Sequence, residues 1–307
     1  MTAQRRAPHP KVNGIGIKEE GMKKGTKRFL GIAIPTALTA TLAVVARKKY
    51  VDIRYGAKNA KDTLKFSESV EVENPEVHLT AHRGLSSVCP ENTIEAFKEA
   101  AKYNYYALEC DVHCTTDDKW VIIHDYMLQS MCEEKGDVKT MSYDEKLSKI
   151  RFTNGANIKD YPDARPCLVE EFIEICKEAN IKPMIEVKDK RIDKVESLYK
   201  IICDYGIEDD VILISFHAPV LREFRKLSPD MELWLLVHTI TDEKILECIE
   251  NGNGVAFEAK RSSAETIQKI HDANLTAACW TVDTKEMLNE MIKNGVKYIT
   301  TNAILPE

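Results

Sequence analysis

The sequence predicts an α/β chain: a (β/α)8 barrel of the TIM type, with a small insertion after its second strand and one transmembrane helix ahead of it. Three observations carry that expectation. Eight short apolar runs alternate with amphipathic stretches over roughly the last three quarters of the 307 residues, the count and length of a parallel barrel. Titratable residues stand where those runs end, which is the end of the strands at which such barrels place their chemistry. An uncharged segment of eighteen residues, 29–46, precedes the first run and is bracketed by Lys and Arg.

The chain divides into a basic tail at 1–28, the apolar segment at 29–46, a polar connector at 47–75 that ends on Asn74-Pro75, and the barrel domain at 76–307. As a helix the segment 29–46 is about 27 Å long, close to the roughly 30 Å of a hydrocarbon core. It has no polar stripe to present to water, so a single-pass membrane anchor is expected rather than a buried helix. A secretory signal cleaved after Val44 and Ala46 is the rival reading. Five Lys and Arg lie within fifteen residues before the segment and six within fifteen after it, so flanking charge does not set its orientation.

The charge balance is uneven. Up to Lys65 there are fifteen basic and four acidic residues, a net +11, and beyond it 28 basic and 45 acidic, a net −17. A body that acidic argues against nucleic acid as a partner. Nine cysteines lie between Cys89 and Cys279 with no Cys-x-x-Cys spacing. They read as small buried hydrophobes of a reducing compartment, which favours the cytoplasmic side for the barrel.

The expected strands are 77–81, 106–110, 183–187, 211–216, 232–237, 254–257, 276–282 and 297–300. The expected helices are 93–103, 168–179, 194–205, 220–226, 244–250, 265–273 and 285–293. In the first of these, Ile94, Phe97, Ala100 and Ala101 form one stripe, and Asn92 and Glu95 resemble a capping box. An extra short strand at 121–123 follows a turn at Asp117-Asp118. A doubly wound sheet is the alternative architecture, but no Gly-x-Gly-x-x-Gly or Gly-Lys-Ser/Thr follows any strand.

His82 and Arg83 follow the first strand. Glu109 and Asp111 close the second, two apart and so on one face. His124 and Asp125 follow the extra strand, Glu186 and Lys188 close the third, Ser215 and His217 the fourth, and Trp280 lies late in the seventh. Carboxylates without cysteine suit a hard divalent cation, Mg2+ or Ca2+. Arg83 and Lys188 suit a phosphate, and two histidines suit paired proton transfers.

The ordered set Ala81-His82-Arg83-Gly84, Pro90-Glu91-Asn92-Thr93, Glu109-x-Asp111 and His124-Asp125 resembles the glycerophosphodiester phosphodiesterase family. Leu168-Val169-Glu170-Glu171, Ile185-Glu186-Val187-Lys188, Ser215-Phe216 and Trp280-Thr281-Val282 continue the resemblance, which covers roughly 77–302. It implies a metal-dependent barrel that converts glycerophosphodiesters to sn-glycerol 3-phosphate and an alcohol. By the same resemblance His82 and His124 are the acid and base, Glu109, Asp111 and Glu186 the metal ligands, and Arg83 and Lys188 the phosphate clamps. Glu91 falls near the metal, and Trp280 has two readings, substrate stacking or core packing.

Departures are also expected to matter. The family's Thr-Asp-x-Pro ending is replaced by Thr301-Asn302-Ala303-Ile304-Leu305-Pro306, and an acidic residue before the last strand by Lys297. These are expected to touch the closing turn and spare the catalytic set. Gln129-Ser130-Met131 replaces a common Arg-Thr-Thr in the insertion at 126–166, a change with bearing on the alcohol accepted. Asn92 reads equally as a helix cap or a ligand contact, and Glu91 as a charge favouring the helix start. His78, His113, His217, His238 and His271 read as structural or surface residues. Two rivals remain: a phospholipase D acting on lysophospholipids, and a catalytically inactive membrane-tethered module that binds phosphodiesters.

Overall fold

The alternating pattern becomes a closed barrel in a computed structural model, which describes residues 64–71 and 76–306. In chain order the strands are β1 (Leu64–Lys65), β2 (His78–Ala81), β3 (Ala107–Cys114), β4 (Trp120–Ile122), β5 (Cys167–Leu168) and β6 (Lys182–Val187). They continue with β7 (Ile212–Ser215), β8 (Glu232–Val237), β9 (Gly254–Glu258), β10 (Ala277–Trp280), β11 (Tyr298–Thr301) and β12 (Ile304–Leu305). The helices are α1 (Phe66–Ser69), α2 (Ile94–Ala100), α3 (Val169–Ala179), α4 (Val195–Tyr205), α5 (Ala218–Leu227), α6 (Asp242–Asn251), α7 (Ala264–Asp272) and α8 (Lys285–Lys293). Strands β2, β3, β6, β7, β8, β9, β10 and β11 pair in parallel in that order, and β11 pairs back onto β2 to close the ring.

Successive side chains of a strand point to opposite faces, so each barrel strand serves two cores. Leu108, Ile185, Leu213, Leu235, Phe257 and Cys279 face outward and pack with the apolar stripes of the helices. Ala107, Met184, Ile212, Trp234, Ala256 and Ala278 form a separate inner cluster. Its floor is aromatic: the Tyr298 ring lies 5.2 Å from Trp234, 5.5 Å from Tyr106 and 4.9 Å from His78. Gly254 admits this packing, because a Cβ there would stand 2.5 Å from the Trp234 ring.

The cap of α2 is Thr93, whose Oγ1 accepts from Ala96 N at 3.2 Å. Asn92 is therefore not the cap, and its side chain is left for another task. All nine cysteines are free thiols, eight of them buried, as their setting in strands and helices predicts.

Strand β3 runs on past the barrel, where β4 pairs with it antiparallel. The insertion that follows folds over its own core of Val121, Ile123, Leu128, Leu147 and Phe152. Asp117 anchors it by accepting from Thr115 Oγ1 at 2.6 Å, Ser142 Oγ at 2.7 Å, Tyr143 N at 2.8 Å and Asp144 N at 3.0 Å.

The end of the expected connector belongs to the folded body. Leu64 pairs in parallel with Ile304, and Leu64, Phe66 and Val70 pack against the core. Asn289 on α8 donates to Ser69 O at 2.7 Å and accepts from Glu71 N at 2.8 Å. Polar composition hid this segment, since a two-residue strand carries no periodicity. The expected transmembrane helix at 29–46 lies outside the described residues, and among those described no helix is long and apolar enough to cross a membrane.

Candidate active site

The inner face of the barrel changes character along its strands. On β3 the face begins with Ala107 and continues with Glu109, Asp111 and His113, while on β6 Met184 is followed by Glu186. Asp111 and Glu186 are partners in register. One oxygen each from Glu109, Asp111 and Glu186 lies within 4.8 Å of the others, and all three residues are buried.

Two cations answer them. Lys188 Nζ lies 3.1 Å from Asp111 and 2.6 Å from Glu186, and Arg83 Nε lies 3.1 Å from Asp111. Arg83 also bonds Glu91 at 2.9 Å, so four carboxylates face two cations and the ionised cluster has a charge of −2. Removing a carboxylate from water costs several kcal/mol, which the pairing offsets for only some of the four. Burial, with the Asp111 charge beside it, pushes the Glu109 carboxyl well above the usual range. Burial also raises Glu186, to about 7. For Asp111 burial acts the same way but is outweighed by Lys188 and Arg83, which hold its carboxyl well below the usual range.

Backbone geometry sets Arg83 in place. Its φ is +58°, rare for a side chain with a Cβ, and this turns its N–H onto Glu109 Oε2 at 2.9 Å. Gly84 follows with φ +74°, where a Cβ would stand 2.6 Å from the Ala96 backbone. Asn92 has φ +58° and donates from Nδ2 to Asp111 Oδ2 at 2.7 Å. The Pro-Glu-Asn-Thr stretch thus sends Glu91 to Arg83, Asn92 to Asp111 and Thr93 to the helix start.

His82, Arg83, Glu91, Glu109, His124, Glu186, Lys188 and Trp280 all line one cavity at the barrel mouth, and Asp111 is wholly buried in contact with Arg83 and Lys188. Each candidate residue is therefore found at one place. His82 Nδ1 lies 2.8 Å from Asn302 Oδ1, and His124 Nδ1 lies 3.0 Å from Asp125 Oδ1. Burial, reinforced by the Arg83 charge, drives both imidazoles down to about 3, so both are neutral at pH 7.

The sequence alone assigns no site role to Phe216, His238, Glu258 or Asn302: Phe216 enters only within a motif, His238 reads as structural or surface, and Asn302 is expected to touch only the closing turn. Phe216 and His238 line the cavity, their rings 4.8 Å apart, and Trp280 meets them at 5.7 Å and 5.6 Å. His238 Nδ1 lies 2.9 Å from Glu258, which also lines the cavity. His238 follows β8 and Glu258 ends β9, so the strand-end rule that selected His82 would have selected them. His217, by contrast, sits at the start of α5 and is not among the lining residues. Asn302 corrects an expectation outright: the altered ending does touch the expected catalytic set, since its side chain bonds His82.

The three-carboxylate cluster fits a hard divalent cation. Donors at about 2.0–2.1 Å from magnesium or 2.3–2.6 Å from calcium are about 4–5 Å apart at most. The oxygens lie within 4.8 Å of one another, a span that falls in the calcium range of about 4.6–5.2 Å and that would have to close to about 4.2 Å around magnesium. Either ion would cancel the charge of −2 that the fully ionised cluster has.

Residues 82–305 match the Glycerophosphoryl diester phosphodiesterase family. A glycerophosphodiester phosphodiesterase of Caldanaerobacter subterraneus subsp. tengcongensis is 30% identical over 228 residues, which are 73% of this chain and 93% of that one. The human glycerophosphodiester phosphodiesterase 1 is 25% identical over 171 residues, 53% of this chain and 51% of the relative. Among solved structures, an Oleispira antarctica phosphodiesterase in complex with the product sn-glycerol-3-phosphate superposes with a TM-score of 0.69 at 18% identity, covering 74% of this chain and 93% of the other. A glycerophosphodiester phosphodiesterase from Parabacteroides distasonis superposes with a TM-score of 0.63 at 24% identity, over 74% and 93%. With the fold, the site residues and the match over most of the barrel in agreement, the chain belongs to the glycerophosphoryl diester phosphodiesterase family and is an enzyme of that class.

Proposed function

We propose that this enzyme hydrolyses glycerophosphodiesters to sn-glycerol 3-phosphate and an alcohol, with magnesium or calcium held by Glu109, Asp111 and Glu186. The observation that carries the reading is the meeting, in one cavity, of two neutral histidines with a carboxylate cluster whose charge its own cations leave unbalanced. The bound product of the Oleispira antarctica neighbour accords with it.

The chain's own residues supply most of the chemistry. Arg83 and Lys188 present positive charge at the cavity wall, where a phosphodiester is held in low dielectric. The anionic substrate raises the proton affinity of His82 and His124 above that of the empty cavity. One ring takes the proton of the attacking hydroxyl or water, and the other gives a proton to the leaving alcohol oxygen. Trp280 and Phe216 offer an apolar wall to the carbon portion of the substrate. A bound cation would supply charge neutralisation at the phosphate and a lowered hydroxyl pKa.

The reading includes a membrane anchor at 29–46 that tethers the barrel on the cytoplasmic side, supported by the uncharged segment, its basic flanks and the free thiols. The test is to incubate the full chain with each cation and glycerophosphocholine or lysophosphatidylcholine. Glycerol 3-phosphate is the expected product; lysophosphatidic acid would assign the lysophospholipase reaction instead, and no product from either would leave a binding module. Fractionation, with an impermeant thiol reagent applied to intact cells, tests the anchor and its orientation.

A further inference from the structure

Asn302 stands between His82 and Asp283. Its Nδ2 donates to Asp283 Oδ2 at 2.9 Å and its backbone N to Asp283 Oδ1 at 2.7 Å. Its Oδ1 lies 2.8 Å from His82 Nδ1 and accepts from Ser86 Oγ at 2.9 Å. The two ends of an amide are alike in shape, so chemistry must decide which faces where. An ionised carboxylate only accepts, so the NH2 must face Asp283 and the oxygen must face His82. A carbonyl oxygen only accepts as well. His82 Nδ1 must then carry the proton, which makes Nε2, the ring nitrogen not engaged by Asn302, the one with the lone pair.

The frame around this chain of bonds is rigid. The three residues follow β10, β11 and β2, which are consecutive in the barrel. His82 N donates to Thr301 O at 2.9 Å, and Thr301 Oγ1 donates to Asp283 Oδ1 at 3.2 Å while accepting from Ala303 N and Ile304 N at 3.1 Å each. Asp283 and Asn302 both line the cavity with His82.

We infer that Asp283 and Asn302 are a positioning pair that fixes the His82 ring in its Nδ1–H tautomer and so keeps Nε2 as the proton-accepting atom. The inference rests on the proton-transfer role proposed for His82. An aspartate in place of Asn302 would offer an acceptor from either oxygen. The amide has only one, so its direction has to be set from outside, and Asp283 sets it.

The test reads tautomer and turnover separately. In the full chain labelled with 15N-histidine, the His82 signals are identified by their loss in His82→Gln, and 15N shifts distinguish Nδ1–H from Nε2–H. We expect Nδ1–H in the wild type. Asn302→Leu and Asp283→Asn should each release that preference and lower kcat on glycerophosphocholine by roughly 10-fold to 100-fold, with KM within about two-fold. The double variant Asp283→Asn/Asn302→Asp exchanges carboxylate and amide, keeps an acceptor toward His82, and should restore both tautomer and kcat. An Nε2–H ring in the wild type overturns the inference whatever the variants do. So does a tautomer indifferent to both single changes, which would reduce the pair to a tie for the closing turn. If the chain cleaves no diester, the proposed reaction fails while the tautomer measurement still decides the pair.

Discussion

Asp111 and Glu186 stand opposite each other in register on neighbouring strands, and Lys188 bonds both, at 3.1 Å and 2.6 Å. Lys188 follows β6 two residues after Glu186, so one strand end delivers a carboxylate and a cation to the same partner. The lysine offsets repulsion between two buried acids, whereas Glu109, which accepts the Arg83 N–H and has the Arg83 charge beside it, still faces the two carboxylates Asp111 and Glu186. That imbalance makes the cluster receptive to a cation.

Removing and returning metal should therefore change stability as well as rate. At a concentration about 100-fold above Kd, a cation bound only by the folded state adds about 2.7 kcal/mol. For a domain of this size that is a rise in Tm on the order of 5–10 °C. After EDTA treatment, magnesium or calcium should raise both activity and Tm, and Glu109→Gln, Asp111→Asn and Glu186→Gln should each blunt the response. Full activity in EDTA, or an unchanged response in all three variants, refutes the proposed metal site.

His82→Ala and His124→Ala should each lower kcat by on the order of 10²-fold to 10⁴-fold while leaving Tm near that of the wild type. Proton transfer is needed in the transition state, whereas the ground-state phosphate faces Arg83 and Lys188. His217→Ala should be nearly silent in steady-state kinetics. A crippling effect there, with modest effects at the other two, would reassign the pair.

Acid should release the insertion through Asp117. Burial raises its carboxyl pKa, but the four hydrogen bonds from Thr115, Asp144, Ser142 and Tyr143 outweigh that and hold it below the usual range. The folded value is depressed, so the stabilisation is complete above the unfolded pKa of about 3.9 and is lost as pH falls through the folded one. Asp117→Asn should cost on the order of 1–2 kcal/mol at pH 7, after allowance for partial exposure. The gap in Tm between wild type and variant should narrow below about pH 4. A gap that does not change with pH would show that the charge is not what anchors the turn.

Residues 64–71 should contribute to the barrel's stability. A chain beginning at Glu76 loses the packing of Leu64, Phe66 and Val70 and both bonds to Asn289. Partial burial of three apolar side chains is worth about 2–3 kcal/mol, a fall in Tm on the order of 5–10 °C relative to a chain beginning at Leu64. Turnover at low temperature should persist in both. Equal melting temperatures would place the start of the folded body after residue 71.

What the sequence determined by itself is what local pattern can carry. Eight runs with both faces apolar specify barrel strands, and the strand-end rule places His82, Glu109, Asp111, Glu186, Lys188 and Trp280 at the mouth before any contact is known. His124 is equally legible because its motif directly follows the extra strand. What only the tertiary structure decided is which of these groups touch. His82 and Asn302 are 220 residues apart in sequence, and their bond exists because β11 closes the ring onto β2. Asn92 reads from sequence equally as a helix cap or a ligand contact; a φ of +58° turns its side chain onto Asp111. β1 is too short to show a period and gains its identity from β12. Alternation along a strand is a property of neighbours in the chain, whereas charge balance and proton placement are set by neighbours in space, which ring closure brings together.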